Sequence, residues 1–425
     1  MAAYRLINNK KLTMEEMVKY LTKGCSRGCS DLSHVLCIQD TTEVVFRHSG
    51  RLSVKDRDFG YGTSELDQYC IFAHPCMVVD ADSRMPVGFS HIKVWSRDRT
   101  QGRKKATQRS LLKLEQKESF RWAEAASESA AALPKKVRKT MVGDRESDIY
   151  SVMCKDLAAG CDFLIRSIHD RPVDCDVEDG RLGMKEYMES LPVSYTYDLY
   201  LRGHKGRSSR TARMTLRYAK VTIHKGRKCL DDVPEELTCY CVYVKEDPSS
   251  VPASEAPIEW RLLTSHVVDT AERAVQCVEW YKCRWFVEEL FRVSKSEGFR
   301  IESVQLENGA AVKKLIVLTM YAALRCVTLK RAYDEQDESV PTSRLFDETE
   351  RELLEVEMER IHRHSPKALD GRNPFREHSL AWAAWIIARL GGWSGYVKAH
   401  GKPGYITMKI GLDRFNQHLE IIAFA

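Results

Sequence analysis

The chain has 425 residues, 43% hydrophobic and 30% charged, with a formal net charge of +6. This is the composition of a folded globular protein and excludes disordered and collagen-like classes. No apolar run is as long as a membrane span, and the N-terminal stretch MAAYRLINNKKLTMEEM lacks the apolar core of a signal peptide; the chain reads as cytoplasmic, with no membrane partner.

In chain order, HVLCIQD (34–40) is a short apolar run ending in an acid and predicts a buried strand. YCIFAHPCMVVDA (69–81) and MPVGFSHIKVW (85–95) predict two more, joined by a turn around Asp82 and Ser83. The Ala-, Glu-, Lys- and Leu-rich stretch 111–133 predicts a helix. KTMVGDRESDIYSVMCKDLAAG (139–160) predicts a strand, an acidic turn and a helix ended by Gly160, and CDFLIRSI (161–168) a further strand. These elements make a mixed α/β sheet. Residues 172–257 change texture: alternating β-rich segments end in DPSSVPASEAP, which reads as a linker, so the section predicts an inserted β unit. IEWRLLTSH (258–266) resumes a buried strand, long helices are expected at 270–297 and 308–332, residues 334–346 are loop-like, and the remainder is mostly helical.

Fourteen cysteines are scattered without a Cys-x-x-Cys pair, and Cys25/Cys29 and Cys239/Cys241 have the wrong spacing for zinc knuckles, so they read as buried thiols. Basic clusters at 97–105, 134–139 and 201–220 oppose an acidic stretch at 347–360. Charge separated in this way suggests a polyanionic partner, with solubility as the alternative for any single cluster. Within 201–220, Arg207, Arg210 and Arg213 are candidates for DNA-backbone contact.

WYKCRWFVEELFRVSK (280–295) reads as a helix on which Tyr281, Arg284, Glu288 and Lys295 share an arc of about 60°. Phe286, Leu290 and Val293 lie opposite, as a core side. Arg284/Glu288 and Glu288/Arg292 are also i,i+4 pairs, which alone describe a solvated face. Partners elsewhere change that reading. Asp40 and Asp144 each end a buried strand; if those strands pair, their carboxylates converge, and Glu288 from a helix packed on the sheet adds a third. Crowded carboxylates call for a cation, and hard oxygen donors suit Mg²⁺ or Mn²⁺.

QDTT around Asp40, GDRESDIY around Asp144, and Tyr281-x2-Arg284-x3-Glu288-x6-Lys295 resemble, in the same order, the blocks of the DDE transposases. The spacing of the last block is most similar to the insertion-sequence-four group, to which the transposase of transposon Tn-five belongs. The resemblance runs from about Tyr4 to the C-terminus. It implies a ribonuclease-H-like core (1–171 and 258–333), a β-rich insertion (172–257) and a helical dimerisation region (334–425). It further implies cut-and-paste transposition, with Asp40, Asp144 and Glu288 binding two Mg²⁺ ions, for which Mn²⁺ can substitute. Tyr281, Arg284 and Lys295 would hold DNA near the cut, Arg145, Arg166 and Arg292 would contact it, and Trp260 would stack a base flipped out at the transposon end. The implied partners are double-stranded DNA, both transposon ends and target, in the bacterial nucleoid, and a second transposase chain. The family carries a helical DNA-binding segment before the point that Tyr4 matches. Its lack at this position sets up an alternative expectation: a non-excising form that inhibits full-length transposase by dimerising with it.

Overall fold

A computed structural model describes residues 2–46, 58–63, 69–97, 112–174, 181–201, 203, 209–253, 255–306, 308–364 and 372–424. Helices α1 (Ala2–Asn8) and α2 (Met14–Gly28) open the chain, α2 beginning in a capping box in which Thr13 and Glu16 satisfy each other's backbone N–H groups. The strands follow as β1 (His34–Gln39), β2 (Thr42–Phe46), β3 (Gly60–Tyr61), β4 (Tyr69–Asp80) and β5 (Pro86–Trp95). Next come α3 (Arg121–Ala132), β6 (Arg138–Gly143), α4 (Tyr150–Ala158) and β7 (Asp162–Arg166). Strands β8 (Pro172–Asp174) and β9 (Arg181–Gly183), helix α5 (Met184–Ser190), and strands β10 (Tyr195–Leu201), β11 (Arg210–His224), β12 (Glu236–Glu246) and β13 (Glu259–Thr264) complete the β-rich part. The helices α6 (Ala271–Lys282), α7 (Trp285–Lys295), α8 (Gly309–Glu335), α9 (Glu348–His364), α10 (Leu380–Leu390), α11 (Val397–His400) and α12 (Tyr405–Phe424) finish the chain.

The thirteen strands among the described residues belong to one mixed sheet. It contains the run β5-β4-β1-β6-β7, with β2 and β3 also paired to β4: β4 is antiparallel to β5 and β1, whereas β6 runs parallel to β1 and β7 parallel to β6. Residue alternation sends Leu36, Ile38, Val142 and Leu164 to one face, into a core shared with α7, α8 and α10. Val35, Cys37, Val78 and Met141 face the other way, against Ala125 and Ala126 of α3. The result is a three-layer α/β arrangement. The β-rich section is continuous with this sheet, because β13 pairs antiparallel with both β7 and β12.

Three local expectations shift. The helix expected over 111–133 starts only at Arg121, after two short 3-10 turns; Leu114 is buried and its N–H is held 2.7 Å from Asp231 Oδ1, which diverts the backbone. The helix expected over 270–297 is broken. At Cys283 and Arg284 the backbone makes i to i+3 bonds (Arg284 N to Tyr281 O 3.0 Å, Phe286 N to Cys283 O 3.0 Å), so α7 restarts with a new phase. The helix expected over 308–332 ends later, at Glu335. The thiol reading holds for the described residues: every described cysteine is free, and all but Cys229 are buried.

Candidate active site

The paired registers of the parallel strands place the acids. Ile38 sits opposite Val142, so Asp40 and Asp144, each two residues further on, leave adjacent strands at the same level. Adjacent strands lie about 4.8 Å apart. Thr140 likewise sits opposite Asp162, which puts Arg166 level with Asp144 on the next strand. One row across three parallel strand ends therefore reads Asp40, Asp144, Arg166.

Helix α7 brings the third acid. Leu290 and Val293 are fully buried and Phe286 nearly so, as expected of its core side, and each contributes about 1.5–3 kcal/mol of burial. Those anchors hold Glu288 over the strand ends. Arg284 Nη1 stands between two acids, 3.1 Å from Asp40 Oδ2 and 3.2 Å from Glu288 Oε1. Asp144 caps the turn after β6, its Oδ1 accepting from Glu146 N at 2.8 Å, while Asp40 Oδ1 accepts from Thr41 N at 2.7 Å.

The charges do not balance. Burial, together with the neighbouring Asp144 and Glu288, pushes the Asp40 carboxyl up to about 7, despite the Thr41 N–H and the Arg284 guanidinium. Burial opposes the Arg284 charge, but Tyr281, Asp40 and Glu288 hold its pKa above the ordinary value. The Tyr281 hydroxyl is raised by burial, against the pull of Arg284 and Arg166. A half-neutral carboxyl beside two more acids is a site short of positive charge. Its donor set, all hard oxygen, fits Mg²⁺ or Mn²⁺.

The other expected contacts divide. Arg166 faces the Tyr281 hydroxyl and donates from Nη2 to Glu259 O at 3.0 Å. Arg145 is exposed at the turn after Asp144. Trp260 is half-buried and meets the Tyr281 ring edge-on, with centroids 5.9 Å apart. Lys295 turns back to the Glu43 carbonyl and lies 3.5 Å from Glu302. Arg292 does not pair with Glu288: it lies 3.8 Å from Glu289 and 3.6 Å from Glu297, and 5.2 Å from the Tyr405 ring centroid, away from the acids. Arg213 is exposed, but Arg210 is engaged by Glu246 and by Glu255 at 3.1 Å, which leaves its guanidinium no free face for a phosphate. Arg207 lies outside the described residues.

The chain matches the family model described as the transposase DDE domain over residues 32–325, a span containing all three acids. It belongs to the DDE transposase family. Membership implies an enzyme that binds and cuts DNA, in a family that normally works with a divalent metal. No helix among the transposase's described residues is long and apolar enough to cross a membrane.

Among the described residues, Asp174, His224 and Glu236 form an acid–histidine group with ligand atoms within 4.8 Å of one another. A guanidinium already lies among them: Arg181 Nε is 2.9 Å from Asp174 Oδ1, and its Nη2 is 3.3 Å from His224 Nδ1. Sequence reasoning passed over Trp285, a residue 60% exposed next to Arg284, and Arg121, which touches the loops of both aspartates. An indole in a run of apolar residues reads as core, and no local pattern links Arg121 to residues so distant in sequence.

Proposed function

We propose that this transposase hydrolyses phosphodiester bonds and transfers DNA strands in cut-and-paste transposition, with Asp40, Asp144 and Glu288 as its metal ligands. The observation that carries this reading is the pair of aspartates in matched register on adjacent parallel strands, with Asp40 sharing Arg284 with Glu288 and the site still short of positive charge. The strand order β5-β4-β1-β6-β7, three antiparallel strands followed by two parallel ones, supports a ribonuclease-H-like core, and the spacing from Tyr281 to Lys295 supports the insertion-sequence-four group.

Two divalent ions, when bound, would supply activation of a water or hydroxyl and stabilisation of the leaving oxygen. The chain's own groups do the rest. Asp40, Asp144 and Glu288 supply the carboxylate oxygens. Arg284 holds Asp40 and Glu288 together while no ion neutralises them. Arg166 sits one strand over from Asp144 and faces the Tyr281 hydroxyl, where a phosphate would be oriented, and the exposed Arg145 can move to a backbone oxygen. Trp260 offers an aromatic face beside Tyr281 for an unstacked base.

Residues 1–171 and 258–333 form the catalytic core, 172–257 the insertion and 334–425 the pairing region. Ile406, Ile410 and Ile421 of α12 are exposed apolar side chains that suit contact with a second copy of the chain. The test is nicking of supercoiled plasmid DNA in Mg²⁺ or Mn²⁺: Asp144→Ala abolishes it with the fold intact, and metal-dependent nicking that survives in this variant removes the assignment.

A further inference from the structure

Arg121 begins α3, 80 residues from Thr41 and 25 from Glu146, and its side chain is only 11% exposed. Each of its nitrogens has an acceptor. Nε donates to Thr41 Oγ1 at 2.7 Å, Nη2 to Glu146 Oε2 at 2.9 Å and Nη1 to the Glu118 carbonyl at 3.1 Å. Thr41 and Glu146 are the two residues whose backbone N–H groups hold Asp40 Oδ1 and Asp144 Oδ1. We propose that Arg121 is a positioning residue, a clamp that fixes the spacing of Asp40 and Asp144 by tying together the two residues whose amides orient them. This rests on the reading of those aspartates as metal ligands.

The clamp has a backing. Thr41 Oγ1, which accepts from Arg121, lies 2.9 Å from His74 Nδ1, and His74 Nε2 lies 3.0 Å from Gln39 Oε1. Burial disfavours the charged form of this imidazole. Every link is a directional hydrogen bond, and the guanidinium fork is rigid where an ammonium is a point charge.

Charge and geometry make opposite forecasts. Removing a cation near three acids would, by charge alone, tighten divalent-ion binding; removing a clamp weakens it. The test titrates Mn²⁺ alone into the full chain, followed by electron paramagnetic resonance, for wild type, Arg121→Lys, Arg121→Met and Glu146→Ala, with melting curves to verify the fold. The clamp predicts that Lys and Met both weaken Mn²⁺ binding, by about 10-fold or more, as losses of outer-shell support do. Wild-type affinity in Arg121→Lys together with tighter binding in Arg121→Met would overturn it. If the Arg121 variants do not melt cooperatively, Glu146→Ala decides, because that side chain is 64% exposed. A loss that persists at high salt supports the clamp; one that vanishes there is charge alone and overturns it. Asp40→Asn and Asp144→Asn in the same titration separate the two readings. If both bind Mn²⁺ as wild type does, the ligand assignment falls; if both lose it while the Arg121 variants do not, only the clamp falls.

Discussion

Two clusters of acids and arginine sit on the same sheet, one at the ends of β1 and β6 and the other between β11 and β12. In the second, Glu246 is fully buried, yet its pKa lies below the ordinary value: the Arg210 hydrogen bond outweighs burial, helped by the Ile258 N–H and the Ser250 hydroxyl. Arg210 is bound in turn by Glu255 and the Ser250 carbonyl. In the first cluster one arginine serves two of three acids, and Asp40 is pushed the other way. The β-rich cluster pairs its charges within the chain. The strand-end cluster leaves Asp40 pushed towards its neutral form.

The largest expected effect breaks the satisfied cluster. Glu246→Ala leaves Arg210 without its main partner and should cost about 3 kcal/mol, read by chemical denaturation. The same type of change at the other cluster should have the opposite sign. Asp40→Asn removes a carboxylate that the native state disfavours, and should raise metal-free stability by about 1 kcal/mol near pH 8. Loss of stability in Asp40→Asn as large as that in Glu246→Ala would erase the contrast.

The pH dependence sharpens it. Metal-free native protein keeps a proton on Asp40 that the unfolded chain has released. Between the usual carboxylate range near pH 4 and about pH 7, this group therefore makes stability fall as pH rises. Glu246, with its lowered pKa, works the other way: its contribution is present above the ordinary glutamate range and is lost as pH falls through its depressed value. Comparing wild type with Asp40→Asn across pH 4 to 8 isolates the first trend, which should be absent from the variant.

The smallest effect concerns the insertion. Arg213→Ala should change stability by less than about 0.5 kcal/mol and flatten the salt dependence of DNA binding by about 0.9 in slope. Arg210→Ala should destabilise the fold instead. An unchanged salt slope in Arg213→Ala removes DNA contact at that position.

Strands β1 and β6 were legible because each is a short apolar run followed by an acid, and buried parallel strands have few other sequence forms. The convergence of Asp40 and Asp144 followed from that. What was not legible depended on partners distant in sequence. Arg210 looked like one more cation in a basic stretch because Glu246 and Glu255 lie 36 and 45 residues away. The break at Cys283 and Arg284 has no proline or glycine to announce it. Asp148, four residues beyond Asp144 in the same motif, shows the same blindness. It is buried with its carboxylate held by Arg171 and the Ile168 and His169 N–H groups, so two aspartates of one short block serve unlike ends.

The most direct test of the account is the Mn²⁺ binding isotherm measured from pH 6 to 8 for wild type, Asp40→Asn, Asp144→Asn and His224→Ala. The strand-end site predicts saturable binding that tightens as pH rises through about 7, is lost in both aspartate variants and is retained in His224→Ala. Binding that survives in Asp40→Asn and Asp144→Asn but disappears in His224→Ala would contradict it and move the metal to the group around Asp174.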